Sequence, residues 1–189
     1  MKPIVLLACI LGMGLLACSD KTGPEARVEQ LRERLAENRE RQAAGKAQPD
    51  SLAMMQLARA LEALVAQRPG TAQAPQQLME AAALYHSGLG DYSRAFTLYN
   101  SLAEKYPKAK DRPEAIIRMA GIAQVEMKNP ELALKLYKAY LAEYPDGAHA
   151  QVCKQAIIFL EDQGTPGNPE GSEALPEAVQ EAIRKARAR

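Results

Sequence analysis

The sequence repeats with a period of 38 residues, and this period constrains the fold more than any other feature. Three landmark pairs are 38 positions apart: Arg68-Pro69, Tyr106-Pro107 and Tyr144-Pro145. Between them, the segment 91–99 aligns with the segment 129–137. A period of this size is typical of a solenoid, in which each unit buries its apolar face against its neighbours.

Each repeating unit is predicted to contain two α-helices. The chain holds 34 Ala but only 18 Val, Ile and Thr together, and Ala favours helices whereas β-branched residues favour strands. Asp91 and Asn129 are each predicted to cap the helix that follows, and the Tyr-Pro pairs to end one, since proline disfavours a helical residue before it. The predicted helices cover residues 25–44, 51–67, 75–88, 92–105, 113–127, 130–143, 148–162 and 174–187. The expected fold class is all-α, with antiparallel helix pairs and extra helices at both ends.

The small and aromatic residues of the two complete units resemble the tetratricopeptide repeat. In the second unit the family's small residues, its large second-helix residue and its closing proline correspond to Ala120, Gly121, Ala133, Tyr137 and Pro145. In the first unit the same positions hold Ala82, Ala83, Ala95, Tyr99 and Pro107. The period is longer than the family's usual length of about 34 residues. The resemblance implies a short TPR-like solenoid over residues 51–162.

The resemblance also implies a groove lined by the first helix of each unit. The family's groove positions correspond to Gln77, Glu80, Leu84, Ser87 and Gly88, and then to Ala115, Arg118, Ile122, Val125 and Glu126. An apolar floor with isolated charges suits an extended peptide or a partner helix. The alternative is that these residues pack against neighbouring helices or against the terminal segments.

The first 17 residues are predicted to be a signal peptide. The apolar run 4–16 is shorter than the roughly 20 residues that a membrane-spanning helix needs. It ends in Leu15-Leu16-Ala17-Cys18, which resembles the bacterial lipoprotein signal. This resemblance implies cleavage before Cys18, attachment of acyl chains such as palmitate to Cys18, and a place on the periplasmic face of a membrane. Ser19 favours the outer membrane. An ordinary signal peptide or an uncleaved anchor is the alternative.

Three segments flank or follow the repeats. Residues 18–50 are expected to be a lipidated tether and an N-terminal helix. This helix has a thin apolar stripe formed by Val28, Leu31 and Leu35, which predicts either packing on the first unit or a short coiled coil. Residues 163–172 are rich in Gly and Pro and are predicted to be a flexible linker. Residues 173–189 are predicted to form an amphipathic basic helix that covers the last repeat, or else contacts an anionic membrane or a partner.

The sequence offers no catalytic or metal-binding constellation. Lys and Arg number 24 against 23 Asp and Glu, which argues against nucleic acid as a partner. Neither His86 nor His149 has other ligands at metal-binding spacing, and no phosphate-binding loop or nucleophile elbow is present. We therefore expect neither an enzyme nor a cofactor. Cys153, the only thiol left after lipidation, is expected to be a small buried residue, with an exposed reactive thiol as the alternative.

The expected function is that of a lipid-anchored interaction scaffold in outer-membrane or envelope assembly. The repeats have longer loops and a Tyr-Pro motif at the end of each unit. In both respects they are similar to repeats in two bacterial envelope families, the periplasmic coordinator of the Tol–Pal system and the helical lipoprotein of the barrel-assembly machinery. The implied partner is an envelope protein or peptide segment. The alternatives are a self-associating structural envelope protein and a carrier of lipids or small molecules.

Overall fold

A computed structural model describes residues 23–162, which are helical without strands in that range. The helices are α1 (Pro24–Ala43), α2 (Ser51–Gln67), α3 (Ala74–Ala83), α4 (Tyr92–Lys105), α5 (Arg112–Gly121), α6 (Pro130–Glu143) and α7 (Ala150–Asp162). Two of them continue into π-helical turns, α3 through Leu84–Leu89 and α5 through Ile122–Glu126. Each helix packs mainly on the one before and the one after it in the chain. This nearest-neighbour stacking confirms the predicted solenoid.

The predicted helix ends agree closely with the structure because their signals are local. Helices α2, α4 and α6 begin and end where the sequence predicts. The other described helices differ by at most two residues at either end, when α3 and α5 are counted together with their π-helical turns. Asp91 accepts a hydrogen bond from the Arg94 N–H at 3.0 Å, and Asn129 accepts one from the Leu132 N–H at 3.0 Å. Both predicted caps are therefore confirmed.

Alanines and a few large side chains together build the core. Several Ala residues at helix contacts are fully buried, among them Ala82, Ala95, Ala120 and Ala133. The largest fully buried side chains are Tyr99, Tyr140, Leu61, Leu102, Met119, Ile122, Leu136 and Cys153. Small residues allow the helix axes to approach, and the aromatic and aliphatic side chains fill the space beside them.

The N-terminal helix packs on the first unit, as the sequence favours. Val28, Leu31 and Leu35 are 3–4% exposed and belong to the core, and α1 packs along α2. The apolar stripe is thus already covered, which contradicts the coiled-coil alternative for this helix. Although α1 lies outside the repeat register, it packs on α2 as α3 packs on α4.

The two π-helical turns were not predicted. They occupy equivalent positions, because Leu84 and Ile122 are one period apart. In both, a backbone N–H reaches back six residues, from Asp91 to Tyr85 at 2.9 Å and from Asn129 to Ala123 at 2.8 Å. A wide turn of five or six residues leaves no periodic signal that distinguishes it from an ordinary helix end.

A lysine occupies a left-handed backbone conformation where the preceding repeat has glycine. Lys128 has a φ of 50° and Gly90 a φ of 67°. A side chain in this region costs roughly 1–2 kcal/mol, whereas the additional freedom of glycine in the unfolded chain costs roughly 0.5–1 kcal/mol. We therefore expect Lys128→Gly to raise the free energy of unfolding by about 0.5–1 kcal/mol in urea titrations.

Gly90→Ala is the matched control for Lys128→Gly. A Cβ at Gly90 would meet no atom within 4 Å, so only backbone strain would oppose it. This variant should lose about 1 kcal/mol of stability. A change in the same direction for both variants would contradict the assignment of left-handed strain to Lys128.

Several predicted features lie outside the described residues. These are the signal peptide 1–17, the lipidation site Cys18, the linker 163–172 and the C-terminal helix predicted within 173–189. Within residues 23–162, no helix has both the length and the apolar character needed to cross a membrane.

Candidate functional site

Side chains connect α1, α3, α5 and α7 into one surface, which we call the odd-helix face. Arg32 on α1 donates two hydrogen bonds to the Glu80 carboxylate on α3, at 2.9 and 2.5 Å. The charge of Arg118 on α5 acts on His86 at the end of α3. Before α7, His149 Nε2 lies 2.7 Å from the Glu114 carboxylate of α5. Direct contacts thus join α1 to α3 and join α5 to the residue before α7, whereas Arg118 acts on His86 through its charge alone.

A cavity of about 370 Å³ opens on this face between α1 and the π-helical end of α3. Its apolar surface comes from Leu35, Met54, Leu57, Ala83 and Leu84. Its polar lining comes from Arg32, Asn38, Arg39, Gln42, Glu80 and Ser87. The volume lies in the range of sites that hold a small ligand or a few side chains.

Gly88 allows the π-helical turn to lie close to α2. A Cβ placed at Gly88 would be 2.6 Å from Sδ of Met54, which is closer than real Cβ contacts. Both residues line the cavity. Any side chain larger than hydrogen at residue 88 would therefore displace Met54 and reshape the cavity.

In the first unit the structure brings most of the predicted groove residues together. Glu80, Leu84, Ser87 and Gly88 line the cavity. Gln77 is half-buried and lines a separate hollow of about 290 Å³ beside Glu25 and Arg68. The predicted positions of this unit therefore share a face, although Gln77 does not join the cavity.

In the second unit the predicted groove residues divide into two sets. Arg118, Val125 and Glu126 are exposed, and Val125 is 62% exposed. Ala115 and Ile122 are 0% exposed and belong to the core. These two present no surface to a partner, because neighbouring helices cover them completely. Their part in the odd-helix face is to pack in the core below its exposed side chains.

Two arginines on the odd-helix face, Arg32 and Arg118, are paired with carboxylates of the same protein. The Arg32 pKa is raised above its ordinary value, chiefly by the hydrogen bond to Glu80. Arg118 Nε lies 2.7 Å from the Glu114 carboxylate one helical turn earlier. These half-exposed pairs orient their side chains and add little stability. The face thus offers fixed charges beside apolar surface.

Sequence reasoning missed the contribution of α1 to the cavity. Four of the six polar lining residues come from this helix, namely Arg32, Asn38, Arg39 and Gln42. Because α1 does not follow the repeat register, family positions could not be transferred to it. The apolar stripe of α1 was the one signal in the sequence that could have indicated this contribution. It determines which side of α1 packs on α2 and therefore which side remains accessible.

His86 packs between helices rather than among metal ligands. Its ring makes edge contacts with Tyr92 and Tyr99, at centroid distances of 5.8 and 6.3 Å. Its Nδ1 is buried without a hydrogen-bond partner within the described part of the chain. Residues 23–162 contain no group of three His, Cys, Asp or Glu side chains that could hold a metal ion.

The burial of His86 predicts a pH effect on stability. Burial lowers the pKa of His86 below its ordinary 6.5, with a further contribution from Arg118. The unfolded state therefore binds the proton more readily, and this contribution to stability is lost as the pH falls below about 6.5. The loss of stability is complete once the pH is below the pKa of His86 in the folded protein. We expect wild type to lose stability relative to His86→Gln between pH 7.5 and 5.

The glutamine variant is suited to this comparison because Gln124 occupies the equivalent position in the next repeat. Urea titrations across the pH range give the difference in unfolding free energy directly. A difference that is constant with pH would exclude His86 as the titrating group.

The thiol of Cys153 is inaccessible. The residue is 0% exposed, and burial raises its pKa to about 11. A thiol with such a pKa is almost entirely protonated at neutral pH and is a poor nucleophile. The prediction of a small buried residue is confirmed, and the alternative of an exposed reactive thiol is contradicted.

Comparison with known families gives one match. A profile described as tetratricopeptide repeat matches residues 52–109 and 115–147, which correspond to α2–α4 and α5–α6. No curated protein and no solved structure shows a significant match.

Proposed function

We propose that the odd-helix face of this short helical solenoid captures a peptide segment or a helix of a partner protein, since the tetratricopeptide-repeat profile matches residues 52–109 and 115–147. Tetratricopeptide repeats are protein-interaction scaffolds, and the proposal assigns no enzymatic activity to the chain. The observation that carries it is the cavity between α1 and α3, where an apolar floor lies beside fixed charges.

The composition of the cavity suits an apolar side chain carried on a polypeptide backbone. An aliphatic or aromatic anchor would be desolvated against Met54, Ala83 and Leu84, which contributes about 25 cal/mol per Å² of apolar area buried. The Arg32–Glu80 pair and the amides of Asn38 and Gln42 would orient the neighbouring peptide groups. A few buried anchors of this kind dominate the affinity of most protein interfaces.

Val125 provides a second point of contact in the proposal. It is 62% exposed at the end of α5, and Met127 beside it is 47% exposed. Arg118 and Glu126 are exposed on the same segment. A partner long enough to contact both units would use the cavity of the first and this apolar patch of the second, which would increase both affinity and specificity.

The proposal places this scaffold on the periplasmic face of a bacterial membrane, in outer-membrane or envelope assembly. Its support is the sequence Leu15-Leu16-Ala17-Cys18, which resembles a lipoprotein signal. Acyl chains on Cys18 would anchor the chain stably, since each buried CH₂ contributes about 0.8 kcal/mol. Following labelled fatty acid in wild type and Cys18→Ser tests this part separately, and equal labelling of the two would overturn it.

Photo-cross-linking in cells tests the binding face. A photoreactive residue at Ser87, which lines the cavity, and one at Val125 should each capture the same envelope protein. Thr97 on α4 is exposed and belongs to an even-numbered helix, so it is the matched control site. Mass spectrometry identifies the captured chain. Equal capture from Thr97, or capture of no protein from Ser87 and Val125, would overturn the proposal.

A further inference from the structure

The last described helix leaves uncovered a position that every earlier repeat covers. Helices α3 and α5 each pack against both a preceding and a following helix, whereas α7 packs mainly on α6 and no helix follows it in the described residues. Ala82 on α3 and Ala120 on α5 are 0% exposed. Ile158, one period after Ala120, is 68% exposed. The register therefore identifies Ile158 as a position that a following helix would bury.

Ile158 belongs to a larger apolar patch on α7. Phe159 is 55% exposed and Val152 is 54% exposed, and both lie away from the side that α7 packs on α6. That packed side is formed by Ala150, Cys153 and Leu160, which are buried. Three large apolar side chains exposed on one helix are unfavourable in water, and such patches mark contact surfaces.

The chain beyond α7 is long enough to cover this patch. Residues 163–189 number 27, and α4 and α6, which cover α3 and α5, have 14 residues each. The ten residues 163–172 span at most roughly 33–36 Å when extended. A return along α7, which has 13 residues, needs roughly 20 Å. The segment 173–189 can therefore reach the whole length of α7.

The sequence of this segment repeats the spacing of the helices that cover α3 and α5. On α4 the buried positions Ala95, Leu98, Tyr99 and Leu102 are spaced i, i+3, i+4 and i+7, and α6 has the same set one period later. The spacing recurs in the C-terminal segment at Val179, Ala182, Ile183 and Ala186. On a helix, these four positions form one apolar face.

Side-chain sizes on the two surfaces are complementary. On α3 and α5 this position holds the small Ala82 or Ala120, and the helix that packs on each has a large buried side chain, Tyr99 on α4 and Tyr137 on α6. On α7 the equivalent position holds the larger Ile158, and the C-terminal segment carries Ala182 and Ala186 on its apolar face. Exchanging large and small residues between facing positions keeps the packed volume approximately constant, which cores tolerate.

We propose that residues 173–189 dock as a helix on the Val152–Ile158–Phe159 patch of α7 and complete the last repeat. The occupant is thus this chain's own C-terminal segment, and the docked helix buries Ile158 as α4 and α6 bury the equivalent Ala82 and Ala120. Val152 and Phe159 flank this contact, at positions that are exposed or half-buried on α3 and α5. This inference concerns a surface separate from the cavity and does not depend on the identity of any bound partner.

The test is a photoreactive residue at Phe159 in the full chain, with peptide mapping of the cross-linked products. We expect cross-links within one chain to residues 173–189. Ile183→Lys should reduce their yield at least fivefold, because it places a charge on the docking face. Glu181→Lys introduces the same side chain on the opposite side of the predicted helix and should leave the yield unchanged.

Other results would overturn the proposal. Equal yields from the two lysine variants would indicate collisions of a tethered segment rather than docking. Cross-links only between two copies of the chain would mean that the patch is a self-association surface. Cross-links only to lipid or to another protein would assign the patch to that partner instead.

Discussion

Replacing Ile122 by aspartate is expected to unfold most of the repeat domain. Ile122 is 0% exposed, at the junction between α5 and its π-helical turn. A carboxylate there would be buried without a partner, and the isoleucine contacts would also be lost. We expect a loss of more than about 4 kcal/mol, a large part of the roughly 5–15 kcal/mol that stabilises a typical domain. Circular dichroism with urea titration measures it.

Val125→Asp is the matched control, because it introduces the same aspartate in place of another β-branched residue, three positions later in the same turn. Val125 is 62% exposed, so the new carboxylate remains hydrated, and the change in unfolding free energy should stay within about 0.5 kcal/mol. Val125→Asp therefore tests partner binding with the fold intact, which Ile122→Asp cannot do. Similar stability losses for the two variants would contradict the burial difference between these positions.

Arg112→Met is expected to destabilise the protein by about 3 kcal/mol, since breaking a buried ion pair leaves one charge uncompensated. Arg112 is 6% exposed and joins three helices. Its Nε donates to the Ala103 carbonyl at 2.9 Å, and its Nη1 donates to the Glu143 carboxylate and to the Tyr144 hydroxyl, the latter at 2.8 Å. Methionine keeps much of the side-chain volume but removes every donor. Urea titration measures the loss.

The electrostatic balance at Arg112 explains why it remains charged while buried. Burial alone would lower its pKa, but the hydrogen bonds to Glu143 and Tyr144 outweigh this effect and raise the pKa above its ordinary value. The charge is thus stable only with its partners. The double variant Arg112→Met/Glu143→Met should recover at least half of the lost stability, because apolar replacement of both partners leaves no unpaired charge.

Arg118→Met controls for loss of an arginine as such. Arg118 pairs with Glu114 one turn away on the surface, and its side chain is 49% exposed. Pairs of this kind contribute about 0.3–0.5 kcal/mol. A loss at Arg118 as large as that at Arg112, or a double variant less stable than Arg112→Met alone, would refute the role assigned to the buried guanidinium.

The sequence predicted the helix positions well because the signals that set them are local. Asp91 and Asn129 cap the helices that follow, and a proline after Tyr106 and Tyr144 ends the helices before them. Each signal acts within a few residues along the chain, so it can be read without knowledge of the fold. Burial of Cys153 was also predicted correctly, because a free cysteine is usually a small buried residue.

The candidate site was predicted less completely, because accessibility depends on residues distant in sequence. Register placed Ile122 and Val125 on the same helix, but packing buries the first and exposes the second. Arg32 lies outside the repeat register, so the register could not assign it to the site. In the structure it donates a hydrogen bond to Glu80, which is 48 residues later in the sequence, at the rim of the cavity. Such contacts arise only when helices from separate parts of the chain stack.

The sequence by itself determined the all-α class, the 38-residue unit and the order in which helices pair, since a repeated pattern of small and aromatic residues can be buried only by stacking its copies. Only the tertiary structure decided which residues of the odd-helix face remain accessible, that α1 forms one wall of the cavity, and that Arg112 is held by α4 and α6 together. The physical reason is that burial and charge pairing are properties of the assembled neighbours of a residue, whereas helix formation depends mainly on the few residues beside it.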